Sequence, residues 1–116
     1  MKILVVDDSG EVRRLIKSLI TDIADEIYEC SDGAEAVELF IKHRPDWTLM
    51  DVYMKKMDGL AATKAIKEID PQSQVVIVTN HTDKRTRKAS LEAGADAFFG
   101  KDDLLALISL LMTKPQ

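Results

Sequence analysis

The sequence predicts an α/β fold: a five-stranded parallel sheet in the order 2-1-3-4-5, doubly wound by five helices. Three observations lead there. Short continuous apolar runs, Lys2-Ile-Leu-Val-Val6, Trp47-Thr-Leu-Met50 and Gln74-Val-Val-Ile-Val78, have the length of strands and lack the alternation of half-exposed ones. Between them lie stretches whose apolar residues recur every third or fourth position, the period of a helix resting on one face. The runs stop at polar groups, Asp7-Asp8, Asp51 and Thr79, and open parallel sheets hold their ligand sites just past the carboxyl ends of the strands. Strands alternating with helices over such short connections call for right-handed crossovers that cover both faces of the sheet.

The first strand, Lys2 to Val6, runs into Asp7-Asp8-Ser9-Gly10. From Glu11 a helix follows, with Val12, Leu15, Ile16, Leu19 and Ile20 on one stripe and Arg13, Arg14 and Lys17 outside it. Glu26-Ile-Tyr-Glu-Cys30 mixes polar and apolar residues, which suits an edge strand and not a central one. Asp32-Gly33 turns the chain into a second helix with Ala36, Val37, Phe40 and Ile41 on its stripe. It ends at His43-Arg44-Pro45, because the residue before a proline avoids the helical region; His43 reads as a solvated cation at the helix end. The third strand ends at Asp51, and Asp58-Gly59 opens a helix bearing Ala62, Ala65, Ile66 and Ile69, closed before Pro71.

The fourth strand, residues 74–78, leads into Thr79-Asn80-His81-Thr82. A helix over residues 83–93 is basic along much of its surface through Lys84, Arg85, Arg87 and Lys88, and Gly94 suits the left-handed position after it. Residues 96–99 form a short fifth strand before Gly100-Lys101-Asp102, and a last helix spans residues 103–112. That helix is unusually apolar. Leu104, Leu105, Ile108, Leu111 and Met112 read as its core stripe, widened by Leu107 and Leu110 into a strip that a partner could cover.

With 116 residues, the chain is expected to be one domain over residues 1–116, with Thr113-Lys-Pro-Gln116 as its boundary. A net charge of −4 argues against a nucleic-acid-binding surface, so no direct nucleic acid contact is expected. The single Cys30 cannot form an internal disulfide and reads as core. Without a signal peptide or a long apolar segment, the expected location is cytoplasmic, with no membrane contact.

The predicted strand order opens a crevice between strands one and three, where Asp7 and Asp8 meet Asp51. Converging carboxylates repel one another, and a divalent cation relieves that repulsion. Hard oxygen ligands with room for water suit Mg²⁺. Lys101, arriving after strand five, adds a fixed positive charge, and Thr79 a hydroxyl donor. Together they could stabilise a phosphoryl group in transfer to Asp51 as nucleophile.

The chain resembles the receiver domains of two-component response regulators, chemotaxis regulators among them, over essentially its whole length. The residues that carry the likeness are Ile3-Leu-Val-Val-Asp-Asp8, Leu49-Met-Asp51 with Met54 and Met57-Asp-Gly59, Val76-Ile-Val-Thr79, Gly94-Ala-Asp96 and Phe98-Phe-Gly-Lys101. The resemblance implies a flavodoxin-like topology and makes Asp51 the phosphoacceptor. It implies Mg²⁺ held by Asp7, Asp8, Asp51 and the main-chain carbonyl of Tyr53, with Asp7 acting through water. Thr79 is then the switch hydroxyl, Phe98 the switch aromatic and Lys101 the cation on the phosphate. A sensor histidine kinase is the implied partner, and helix 4, strand 5 and helix 5 the surface for a homodimer or an effector. Such a domain is no conventional enzyme: it catalyses only its own phosphoryl transfer and slow self-dephosphorylation.

Three positions depart from the usual pattern. Lys55 replaces a proline and puts an extra cation beside the site, Asn80 replaces a small residue, and Asp102 replaces a proline after the lysine. A docking module that acts without phosphorylation is therefore the alternative reading. An aspartyl-nucleophile phosphatase would want Asp-x-Asp at the first strand, and a flavin-binding domain a hydroxyl- and Gly-rich loop there; neither is present. Tyr53 and His81 flank the approach to Asp51 and are expected to shield an acyl phosphate from water.

Overall fold

The computed structural model describes residues 1–113. Strands and helices alternate: β1 (Lys2–Val6), α1 (Gly10–Ile20), β2 (Glu26–Cys30), α2 (Gly33–His43), β3 (Trp47–Met50), α3 (Gly59–Ile69), β4 (Gln74–Thr79), α4 (Lys84–Glu92), β5 (Ala97–Gly100) and α5 (Leu104–Thr113). All neighbouring strands pair in parallel, in the order β2-β1-β3-β4-β5. The predicted topology is the observed one, with strand and helix limits displaced by a residue here and there. The chain beyond Thr113, to which the expected boundary extends, lies outside the described residues.

Alternate residues of the buried strands feed two cores. Leu4, Val6, Met50, Val75 and Ile77 meet Phe40 of α2 and Ala62 and Ile66 of α3 on one face. Ile3, Val5, Trp47, Leu49, Val76 and Val78 meet Ile16 and Ile20 of α1 and Leu107 and Leu111 of α5 on the other. Side-chain oxygens of Ser9, Asp32, Asp58 and Asp83 accept main-chain N–H groups at the starts of α1 to α4, a cap worth about 1 kcal/mol each. Each cap stands in a loop at the carboxyl end of the sheet, so the caps also fix the loops around the crevice.

The helical stripes are narrower than the sequence suggested. Leu15, Leu19, Ile41 and Ile69, expected to face the core, are exposed. The largest correction concerns α5: Leu105 and Met112, assigned to the core stripe, are 80% and 66% exposed, whereas Leu107, expected only to widen the strip, is fully buried. Leu104, Ile108 and Leu111 fit a stripe completed on either flank, and the sheet selects the flank with Leu107. His43 is half-buried and stacked on Tyr28, ring centroids 3.9 Å apart, so it is more than a solvated helix end. Cys30 is buried as expected, and burial pushes its thiol up to about 12.

Helix α4 differs from the rest. Its buried positions are Thr86 and Ser90, not apolar side chains. The Ser90 hydroxyl donates to the Thr86 carbonyl at 2.7 Å, and the Thr86 hydroxyl to Asp83 Oδ1 at 2.8 Å.

Candidate functional site

The hydrogen-bond ladders run one step past the strands, and that extra step positions the site. Asp51 N–H donates to the Val6 carbonyl at 2.9 Å, and Lys101 N–H to the Thr79 carbonyl at 3.0 Å. The Val6–Met50 register then sets Asp7 beside Asp51 at the mouth of the sheet. Asp7, Asp8 and Asp51 each present a carboxylate oxygen, all within 4.8 Å of one another.

The crevice is organised by charge. Asp7 and Asp51 are buried and Asp8 is exposed. Lys101 Nζ lies 2.8 Å from Asp7 Oδ2 and 3.3 Å from Asp51 Oδ2, so one ammonium bridges two buried carboxylates. The other oxygen of each accepts a main-chain N–H: Ser9 on Asp7 at 2.8 Å and Val52 on Asp51 at 2.9 Å. Burial, reinforced by the negative charge of Asp7, raises the carboxyl of Asp51 above its ordinary range despite Lys101. Burial opposes the charge of Lys101, but its hydrogen bond to Asp7 and the pull of both carboxylates outweigh that, and its ammonium is held above the usual lysine value.

One ammonium pairs with two of the three clustered carboxylates, which leaves a surplus of negative charge and free oxygen lone pairs. That donor set is all hard oxygen, with one member open to solvent, and it fits Mg²⁺. Beside it, Asp8, Ser31, Asp32, Lys55 and Lys56 line a cavity of about 310 Å³, which places the predicted extra cation, Lys55, next to the site. Asn80 and Asp102 are both exposed.

Thr79 is fully buried, and its Oγ1 accepts the His81 N–H at 3.1 Å, leaving the hydroxyl proton to donate elsewhere. Phe98 is buried with the core on the α2–α3 face. The guanidinium of Arg87, from α4, lies 5.5 Å from the centroid of its ring. The rings of Tyr53 and His81 meet edge to face at 4.3 Å, an aromatic pair formed between the loops after β3 and β4.

Sequence reasoning missed the supports of these groups. A Cβ on Gly59 would stand 1.8 Å from the Asp51 carbonyl oxygen, so only glycine lets α3 begin against the acidic loop; the Asp58-Gly59 pair was its signal. Gly33 N–H donates to the Met57 carbonyl at 3.0 Å and ties two loops together. Arg13 donates to the main-chain carbonyl of Asp7. The closeness of Lys101 to Asp7 had no sequence signal.

The sequence matches the family described as response regulator receiver domain over residues 3–111. It is 32% identical over 116 residues to the chemotaxis protein CheY of Halobacterium salinarum, covering 97% of each chain. With the CheY of Bacillus subtilis it shares 36% identity over 101 residues, covering 86% of this chain and 84% of that one. It also aligns at 32% identity over 121 residues with the response regulator MprA of Mycobacterium leprae, covering 99% of this chain and 53% of that protein. Among solved structures, the response regulator domain of Thermotoga maritima CheB superposes with a TM-score of 0.83 at 28% identity, covering 100% of this chain and 98% of that one.

Proposed function

Because the chain belongs to the response regulator receiver domain family, we propose that Asp51 accepts a phosphoryl group from a phosphorylated histidine of a sensor kinase. The observation that carries this reading is the buried carboxylate of Asp51 set among two others and one lysine. Asp51 attacks phosphorus through a carboxylate oxygen as the bond to the histidine nitrogen breaks, and the imidazole leaves and takes a proton from water.

Lys101, which bridges Asp7 and Asp51 in the resting protein, turns to the incoming phosphoryl oxygens. Mg²⁺ on Asp7, Asp8, Asp51 and the Tyr53 carbonyl would supply further positive charge there. Binding energy goes to charge that develops during transfer, which is where it accelerates the step.

Phosphorylation adds about −1.5 to −2 charge at Asp51. The Thr79 hydroxyl, buried at the end of β4, donates to the new acceptor, and its movement changes the space beside Phe98. The rearrangement is passed to α4 through the contact of Phe98 with Arg87. We assign the output to the surface of α4, β5 and α5, where Lys84, Arg85, Arg87 and Lys88 are exposed and would suit an acidic effector. The paired rings of Tyr53 and His81 shield the acyl phosphate and slow its hydrolysis. No helix among the described residues is long and apolar enough to cross a membrane, and we place the domain in the cytoplasm, where a sensor kinase would phosphorylate it.

Intact mass after incubation with Mg²⁺ and a small phosphodonor tests the proposal. A single added phosphate is expected, lost on removal of Mg²⁺ and in Asp51→Asn. No added phosphate with any donor would overturn it and favour a module that docks without phosphorylation.

A further inference from the structure

The acidic side of the crevice is anchored to the edge strand. Asp7 stands one step past β1, and both of its main-chain polar groups are tied to β2. Its N–H donates to the Cys30 carbonyl at 3.2 Å. Its carbonyl accepts from Nη1 of Arg13, and Nε of the same guanidinium donates to Glu29 Oε1 at 2.8 Å. Glu29 and Cys30 are consecutive residues of β2, so two neighbours on one strand hold the two sides of Asp7. Arg13 is itself fixed. Its N–H donates to the carbonyl of Ser9, the cap of α1, at 3.1 Å, while the Ser9 N–H donates to Asp7 Oδ1 at 2.8 Å. Asp7, Ser9 and Arg13 thus close a ring of hydrogen bonds. Lys17, one turn further along α1, also pairs with Glu29, and the hydrogen bonds from Lys17 and Arg13 keep the Glu29 carboxyl below its ordinary range.

The bond to the carbonyl has reach because a peptide unit is planar. The Asp7 carbonyl and the Asp8 N–H share one plane, so the direction of the first fixes the point from which Asp8 leaves. Asp8 is exposed, and the plane before it, more than packing, sets where its carboxylate stands. Mg²⁺ takes its oxygens at about 2.0–2.1 Å in near-octahedral order. A tilt of this plane therefore displaces two of the three clustered carboxylates together. Lys101 meets the carboxylates themselves and competes with any cation that arrives there. Arg13 meets the carbonyl instead, and leaves the carboxylate oxygens free.

We infer that Arg13 is a positioning residue for the metal: held by Glu29, it sets the peptide between Asp7 and Asp8 so that both carboxylates face one ion. This rests on Mg²⁺ being the ion that the three carboxylates hold, as proposed for phosphoryl transfer. Charge alone would act with the opposite sign. A guanidinium beside an acidic crevice repels a divalent cation, so the loss of a mere charge would tighten Mg²⁺ binding.

Calorimetric titration of the metal-free full chain with MgCl₂ decides between the two. Arg13→Ala is expected to bind Mg²⁺ about tenfold more weakly, the usual cost of losing a group that orients a metal's ligands. Arg13→Lys, which can reach the carbonyl or Glu29 but not both, should fall between it and the wild type. Arg14→Ala removes the same charge from the exposed side of the same helix and should bind as tightly as the wild type or slightly more so. Glu29→Ala should weaken binding, and by a smaller factor once Arg13 is alanine, because the two act through one carbonyl. In phosphorylation by a small donor, Arg13→Ala should need more Mg²⁺ for half its maximal rate, and saturating Mg²⁺ should restore most of what is lost. A melting curve of each variant will show that it is folded at the temperature of the titration. Arg13→Ala or Arg13→Lys binding Mg²⁺ as tightly as the wild type, or more tightly, overturns the inference and leaves the metal reading in place. So does a Glu29→Ala factor that is the same with and without Arg13. A wild type that takes up no Mg²⁺ overturns both.

Discussion

The two ends of the sheet each hold a lysine between elements distant in sequence, and the two arrangements are built for opposite ends. At the amino end of the strands, Lys67 of α3 bonds Asp96 at 3.0 Å and the Ser73 carbonyl at 2.7 Å, while Asp96 also accepts the Val75 N–H at 2.8 Å. One cation meets one carboxylate, and the main chain takes up what remains. At the carboxyl end, Lys101 meets two buried carboxylates with a third nearby. The first arrangement is electrically closed and clips α3 to the start of β5. The second is left open, with repulsion that a further cation, or a proton on Asp51, relieves. Surplus charge, not the mere presence of an ion pair, sets the two arrangements apart.

Exchanging the roles of the two aspartates breaks the comparison most sharply. Asp51→Asn should abolish phosphorylation and yet raise the thermal midpoint of the metal-free protein by a few degrees. The carboxyl of Asp51 lies above its ordinary range, so the folded chain holds that proton more tightly than the unfolded one. The site's contribution to stability is thus fully present below the unfolded carboxylate value, about 3.9, and lost as pH rises through the raised folded value. The gap between variant and wild type should widen across that window and then level off; melting curves in chelator at a series of pH values would show it, and a gap that narrows would contradict it.

Asp96→Ala should do the reverse. It leaves the Val75 N–H without its acceptor and Lys67 without its carboxylate, at a cost of about 1–3 kcal/mol, measurable by urea unfolding, while the rate of phosphorylation by a small donor stays as it was. The smallest effect falls on the rim of the open site. Replacing Tyr53 and His81 together by serine should shorten the lifetime of the phosphoprotein by about tenfold or less, equivalent to about 1.4 kcal/mol in the hydrolysis barrier; an unaltered lifetime would reject the shielding role of the ring pair.

The open site was legible in the sequence and the closed one was not. Asp7, Asp8 and Asp51 announce themselves by ending apolar runs, and strand order alone brings them together. Lys67 and Asp96 are separated by 29 positions, and nothing local marks them as a pair. The fold was legible for the same reason as the acidic crevice: its three central strands, β1, β3 and β4, are continuous apolar runs bounded by turns. Helix faces were less so. On α5 the residues Leu104, Ile108 and Leu111 suit either flank, and only contact with Val76 and Val78 of the sheet decides for Leu107 over Leu105.

Helix α4 rests on the sheet through Thr86 and Ser90, whose hydroxyls bond within the helix and its own cap. Sliding it carries both bonds along, whereas moving α2 or α3 would draw the buried Phe40, Ala62 or Ile66 out of the core. Its amides should exchange with solvent through low-energy local opening, ahead of those in its neighbours. A helix that carries its hydrogen bonds with it can change position at little thermodynamic expense, and Phe98 lies directly against its side chains.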